Sequence, residues 1–224
     1  MTHSRLPLGT GVRALAGAVL AGAALAAAAG PAPAFAAPET YAIDVNHSSV
    51  GFKIRHFASR VPGRFNVFEG TIVVDRQDLA KSRVEVTIDA ASIDTANADR
   101  DAHLKSADFF DVATHPKIVF RSTRVSPSGE GKARIEGDLA IRGTTRPVVL
   151  EVEMLGFGPG PGGKTVGGFE AKTRINRQDF KVAWNRAVEG AGLVLGDDVD
   201  IVINVEAGKA GPPPAAPAAA KPGR

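Results

Sequence analysis

The chain of 224 residues contains no cysteine. That absence excludes a disulfide framework, a thiolate nucleophile, a Cys-ligated zinc or iron–sulfur centre and lipidation at a lipobox. Also missing are a Gly-x-Ser-x-Gly elbow, a Walker phosphate loop and a His-Glu-x-x-His helix. The glycine-rich run 156–163 is broken by Pro159 and Pro161, which suits a hairpin loop better than a phosphate cradle. Of the histidines in the body, His47, His56, His103 and His115 are scattered, and none has a ligand partner at close spacing, so no metal site is expected. Asp99 or Asp101 with His103 would make an acid–base pair, but no paired nucleophile or oxyanion donor accompanies them, and no catalytic residue is assigned.

A basic surplus is missing from the body too. The net charge is +3, yet all 24 acidic residues lie between Glu39 and Glu206. Arg5, Arg13, Lys209, Lys221 and Arg224 lie outside that stretch, so 22 of the 27 basic residues face 24 acids and the body is near −2. Nucleic acid is therefore not an implied partner. With 44% hydrophobic residues, the composition is that of a folded, soluble protein of one or two domains and excludes disorder, collagen and coiled coil.

The two ends differ from the body. Residues 1–36 read as a cleaved secretory signal: His3, Arg5 and Arg13 precede the apolar run 14–29, and Ala34-Phe35-Ala36 is a small-x-small cleavage site. The mature chain is expected to begin at Ala37. A membrane anchor is the alternative, but the run is Ala- and Gly-rich and shorter than the roughly 20 residues a spanning helix needs. Residues 208–224 are almost entirely Gly, Pro, Ala and Lys, a composition that cannot offset the entropy of ordering, and predict a disordered tail.

From Tyr41 to Ala207 the dominant signal is period-two alternation in short segments separated by turn residues. Val50, Phe52 and Ile54 alternate with Gly51, Lys53 and Arg55; Val84, Val86 and Ile88 alternate with Glu85 and Thr87. The same holds for Ala133, Ile135, Gly137 and Leu139, for Val148, Leu150, Val152 and Met154, and for Phe169, Ala171, Thr173 and Ile175. With 41–45 as a first strand and Val199 to Val205 as a last, about eight or nine amphipathic strands must close into a barrel or stack as two sheets. Hairpin signals at Ser126-Pro127-Ser128-Gly129 and at 156–163 connect neighbours without long crossovers, which favours an antiparallel barrel over an immunoglobulin-like sandwich. Small inward residues (Gly70, Ala133, Gly137, Ala171) leave open both a filled interior and one with room for a ligand. Residues 92–111 break the alternation. Thr95 or Asn97 as N-cap, Asp99 and Asp101 in the first turn and Lys105 towards the end predict a short helix, with a second short turn at Phe109 and Phe110.

The segments HSSVGFKIRH (47–56), VPGRFNVFEGTI (61–72), SIDTANADRDAHLKSADFFD (92–111), HPKIVFRST (115–123), GDLAIRGTTRPVVLEV (137–152), NRQDFKVAWN (176–185) and GDDVDIVINVEA (196–207) resemble, in this order, those of the YceI-like proteins. The resemblance covers residues 40–207. It implies an extended, lipocalin-like antiparallel β-barrel, a domain over 37–207, whose apolar tunnel holds a polyisoprenoid chain such as that of an isoprenoid quinone or a related amphiphile. It also implies export to the periplasm or beyond and, for several members, a homodimer. No obligatory cofactor is expected, whereas transient membrane contact for ligand exchange is expected of a carrier of this kind. One departure is visible: the family often has Gly after the Asn-Arg-x-Asp-Phe element, where this chain has Lys181.

Candidate lining residues are Phe52, Phe65, Phe68 and Phe120 on strands, and Phe109 and Phe110 after the helix. Phe169, Phe180 and Trp184 join them from the C-terminal third. Core packing is the alternative for each aromatic. Arg100, Asp101 and His103 are the candidate headgroup partners, or else an internal hydrogen-bonded cluster that fixes the helix to the barrel. Two other function classes remain: an exported hydrolase or metal-binding protein built on Arg100, Asp101 and His103, and a ligand-free structural or stress protein with a filled barrel.

Overall fold

The structure is a computed structural model and describes residues 37–188 and 192–211. The expected secretory signal lies outside the described residues, as does all of the tail beyond residue 211. Thirteen strands are described, with α1 (Ala98–Lys105) between the sixth and seventh. In chain order they are β1 (Glu39–Ile43), β2 (Ser49–His56), β3 (Ser59–Phe65), β4 (Phe68–Val74), β5 (Arg83–Asp89) and β6 (Ile93–Asp94). Then come β7 (Lys117–Gly129), β8 (Lys132–Ile141), β9 (Thr144–Pro159), β10 (Thr165–Asn176), β11 (Ala187–Val188), β12 (Gly192–Leu193) and β13 (Leu195–Lys209).

The sheet runs β1-β4-β5-β7-β8-β9-β10-β13, and β13 pairs back with β1, closing an eight-stranded antiparallel barrel. Three of its staves are broken. β2 continues β1 along the same neighbour, with Ile43 opposite Ala207 and Val50 opposite Ile203. Likewise β3 continues β4, and β6 continues β5. The meander expected from the alternation is therefore the observed fold, a lipocalin-like barrel with one helix.

Local boundaries differ for physical reasons. The first strand ends at Ile43, not at residue 45: Asp44 N–H still donates to Glu206 O, and then the chain leaves the ladder until the Ser48 hydroxyl rejoins the Glu206 backbone, leaving Val45 exposed. Ser126-Pro127-Ser128 does not turn but ends β7 with an irregular register, and the hairpin reverses at Glu130-Gly131. Residues 156–159 are strand as well, with Gly156 opposite Gly168 and Pro159 opposite Thr165, so that loop shrinks to residues 160–164. The last strand passes the expected boundary at 207 and reaches Lys209, opposite Tyr41.

The inward faces follow the alternation. Where a ring meets a wall, glycine makes room for it: a Cβ on Gly63 would lie 2.3 Å from the Phe52 ring, and one on Gly137 would lie 2.5 Å from Phe120. Below, the barrel is plugged by Tyr41, fully buried, with Ile72, Val74, Phe169 and Ala207. The rings of Phe169, Phe157 and Tyr41 step outward at 5.7 and 5.4 Å. The Tyr41 hydroxyl donates to Glu39 (2.7 Å) and accepts from Arg76 (2.7 Å), whose guanidinium lies 4.0 Å above Phe157. Glu39 also pairs with Lys209. Glu39 is held below the usual carboxylate range first by the hydrogen bond from Lys209 and then by that from Tyr41.

Candidate functional site

Inside the barrel is a cavity of about 590 Å³, within the 300–1,000 Å³ range of small-molecule sites. Its wall is hydrocarbon. On β13 alone Val199, Ile201, Ile203 and Val205 line it, a run of about 20 Å at 3.3 Å per residue. Towards the plugged end the lining is Val74, Leu79, Met154 and Phe169. Charged and imidazole side chains reach it only at the other end, from Asp99, Arg100, His103, His56 and Arg177.

Every candidate lining residue, with Arg100 and His103, lines this one cavity, whereas Asp101 does not. Phe52, Phe65, Phe68 and Phe120 do so from the strands, and Phe169 from near the floor. At the mouth stand Phe109, Phe110, Phe180 and Trp184 with Arg100 and His103. The mouth aromatics interlock. His103 meets Phe109 edge-on at 5.0 Å and Trp184 edge-on at 4.9 Å; Phe109 and Trp184 lie 5.2 Å apart, and Phe65 meets Phe110 at 5.8 Å.

The helix that carries Arg100 and His103 starts as expected, with Asn97 capping the Arg100 amide at 2.9 Å. Arg100, Asp101 and His103 nevertheless do not converge on one point. The Asp101 carboxylate accepts from Thr95 N–H (2.9 Å) and Thr95 Oγ1 (2.5 Å), and Arg100 donates to Thr95 Oγ1 and to the Thr95 carbonyl, both at 2.7 Å. His103 instead pairs with Asp108 at 2.9 Å. Arg100 and Asp101 thus form the internal cluster that ties α1 to the segment before it. Among the described residues no hydroxyl is hydrogen-bonded to the His103 ring, whose partner is Asp108.

Sequence reasoning missed Arg177. Its side chain is 4% exposed and makes four hydrogen bonds: to Gly196 O (2.9 Å), Val182 O (2.5 Å), Trp184 O (2.9 Å) and Asp197 Oδ1 (3.0 Å). Burial lowers its pKa and Asp197 pulls it back up. The guanidinium fastens the segment carrying Phe180 and Trp184 to the start of β13, and so builds the mouth. A signal existed: Arg177 continues the inward parity of Phe169, Ala171, Thr173 and Ile175. Lys181, the departure from the family pattern, adopts φ 61° and ψ 19° at the end of the short 3₁₀ turn Arg177–Phe180, a left-handed conformation that glycine adopts without strain.

Among the described residues one group of three ligand-type side chains converges, Asp44, His47 and Glu206, with donor atoms within 4.8 Å of one another. It sits at the break between β1 and β2 and does not line the cavity. His47 Nδ1 already contacts Asp44 at 2.9 Å, and the pairing with Asp44, helped by Glu206, raises the imidazole pKa.

Comparison with known proteins agrees with this architecture. The YceI-like domain profile matches residues 41–207. Protein YceI of Escherichia coli O157:H7 is 38% identical over 169 residues, which is 74% of this chain and 85% of that protein. The crystal structure of the Campylobacter jejuni YCEI protein superposes with a TM-score of 0.61 at 31% identity, covering 68% of this chain and 87% of that one. A polyisoprenoid binding domain from Saccharophagus degradans, implicated in plant cell wall breakdown, shares the fold with a TM-score of 0.53 at 14% identity, covering 76% and 98% of the two chains. On the strength of the profile match and the E. coli relative, the chain belongs to the YceI-like family.

Proposed function

We propose that the protein is an exported carrier or sequestering protein that holds a polyisoprenoid chain, of a quinone or a related amphiphilic lipid, inside the barrel. The observation that carries this reading is the cavity: hydrocarbon along its length, plugged at the Tyr41 end, with charged and imidazole groups confined to the mouth. Apolar burial contributes roughly 25 cal/mol per Å², so a long chain is held by shape and dryness, with few polar contacts. The tail points to the floor and the headgroup stays beside Trp184, His103 and Arg100. Binding and release are the whole activity, and any redox chemistry belongs to the bound lipid. The polyisoprenoid-binding domain of the same fold lends support as an analogy of architecture.

The test is organic extraction and mass spectrometry of protein purified from its own exporting cells, with native mass spectrometry of the same sample. A stoichiometric polyisoprenoid is expected. Protein that is empty, and stays empty after incubation with polyprenyl lipids, sinks the reading.

A further inference from the structure

The β2–β3 hairpin projects at the mouth. Its inward residues Ile54, His56 and Val61 line the cavity, and its tip is the two-residue turn Phe57-Ala58 between the paired His56 and Ser59. Phe57 is anomalous there in two ways. It is 40% exposed, and it holds φ 49° at the first turn position, where a two-residue hairpin with positive φ ordinarily has glycine. Its ring meets that of His56 edge-on at 5.2 Å, and the positive φ is a strain that glycine would not carry. Beside it lies Leu193, 51% exposed. The two are brought together because Phe57 N–H donates to Val194 O (2.9 Å) and Val194 N–H to Arg186 O (2.9 Å).

The charges of the hairpin itself have one sign. Residues 49–65 contain Lys53, Arg55, Arg60 and Arg64 and no acid, on a body whose net charge is near −2. Of the three aspartates on the adjoining start of β13, Asp197 is taken by Arg177 and Asp200 by both Arg60 and Arg174, which leaves Asp198. Among the described residues no carboxylate lies within ion-pair distance of Lys53, Arg55, Lys181 or Arg186. Exposed apolar side chains ringed by cations are the chemistry of an interfacial membrane anchor.

We propose that the Phe57 tip of the β2–β3 hairpin, with Leu193, Arg55 and Arg186, docks the protein on an anionic lipid bilayer with the cavity mouth facing the lipid. The inference rests on the lipid-carrier reading for its purpose. A lipid then passes between bilayer and barrel along Ile54, Val61 and Phe52 without crossing water.

The experiment is flotation of the delipidated protein with vesicles of phosphatidylcholine alone and of phosphatidylcholine mixed with phosphatidylglycerol, at low and high salt. Alongside it, loading with a polyprenyl lipid is measured from detergent in the absence of vesicles. Expected is binding to the anionic vesicles that weakens at high salt. Binding should also weaken roughly tenfold or more in Arg55→Gln/Arg186→Gln, and several-fold in Phe57→Gly/Leu193→Ser. Phe57→Gly suits the turn and keeps the fold. Val45→Ser/Leu155→Ser, which removes exposed apolar groups elsewhere, is expected to leave binding unchanged. Absence of vesicle binding by the parent protein, or equal binding by parent and mouth variants, overturns the docking surface. If loading from detergent persists in that case, the carrier reading stands. If docking behaves as expected and nothing loads, the carrier reading fails and the surface stands.

Discussion

Replacing Arg177 by methionine removes the guanidinium that joins the mouth segment to β13 while keeping a long apolar stem in its place. Three carbonyls, those of Gly196, Val182 and Trp184, lose a charged donor, and Asp197 loses its ion-pair partner and keeps the Gln178 side-chain amide at 3.0 Å. Hydrogen bonds to a charged group contribute about 1.5–3 kcal/mol each, and removing one member of a buried pair costs about 3–5 kcal/mol. Asp197 is 44% exposed and regains water, so the lower end applies, about 3 kcal/mol. That is a large fraction of the 5–15 kcal/mol by which a domain is stable. In urea it displaces the midpoint by about 1–2 M at unchanged slope, and in a thermal scan by about 10 °C. Arg177→Lys should fall between parent and Met variant, because an ammonium cannot span four acceptors arranged around a planar fork. Trp184 is the sole tryptophan of the chain, so its fluorescence reports both unfolding and the mouth. In the folded Met variant its emission should shift towards that of a solvated indole. A loss of stability under 1 kcal/mol with unchanged emission refutes the clasp.

Three further outcomes are expected. Gly63→Val puts a side chain where a Cβ already lies 2.3 Å from the Phe52 ring, so the ring swings into the lumen. Stability falls by about 1–3 kcal/mol, and the amount of lipid bound in a loading assay falls with it; unchanged loading refutes the geometry. Lys181→Gly relieves a left-handed backbone at φ 61° and should raise the urea-derived stability by about 1 kcal/mol, whereas a loss means the lysine side chain supports the turn. The pKa of Glu39 is depressed in the folded state, so its contribution to stability is present above the unfolded value, about 4.3, and is lost as pH falls through the folded value. The parent melting temperature should therefore drop more steeply below about pH 4.3 than that of Glu39→Gln, and superimposable profiles refute the link.

What was legible in the chain was its parity. Val84, Val86 and Ile88, or Phe169, Ala171, Thr173 and Ile175, declare one buried face because a strand alternates its side chains and a one-residue slip would expose every apolar group. The aromatic lining of the cavity followed from the same rule together with the family resemblance. What escaped were features fixed by partners distant in sequence. Tyr41-Ala42-Ile43-Asp44-Val45 alternates without interruption, yet the strand stops at Ile43 because Ser48 and Glu206 bridge the gap across 158 positions. Arg177 obeyed the inward parity but carried a charge, and only the four acceptors gathered from residues 182–197 make its burial tolerable. Asp101 was grouped with Arg100 and His103 by spacing, whereas its geometry assigns it to Thr95.

The hollow interior has a structural cause that composition alone hides. Nine phenylalanine and tryptophan side chains reach the lumen, enough to fill a barrel of eight strands. They do not fill it, because rings that could cross the lumen lie back on the wall: Phe52 over Gly63 and Phe120 over Gly137. Glycine at those positions is thus a device for keeping volume open as much as for saving space. The volume is costly. Unfilled core volume lowers stability in proportion to its size, and a cavity of about 590 Å³ is a large sacrifice of packing in a fold that is only marginally stable. Simple substitutions of the lining residues Ala133 or Ala171 by larger ones would recover part of that, since stabilising changes are easy to find in a fold that merely has to stand. An interior left hollow at such a cost, and sealed at one end by the Tyr41 network, is accounted for by an occupant whose own apolar burial restores what the wall lacks.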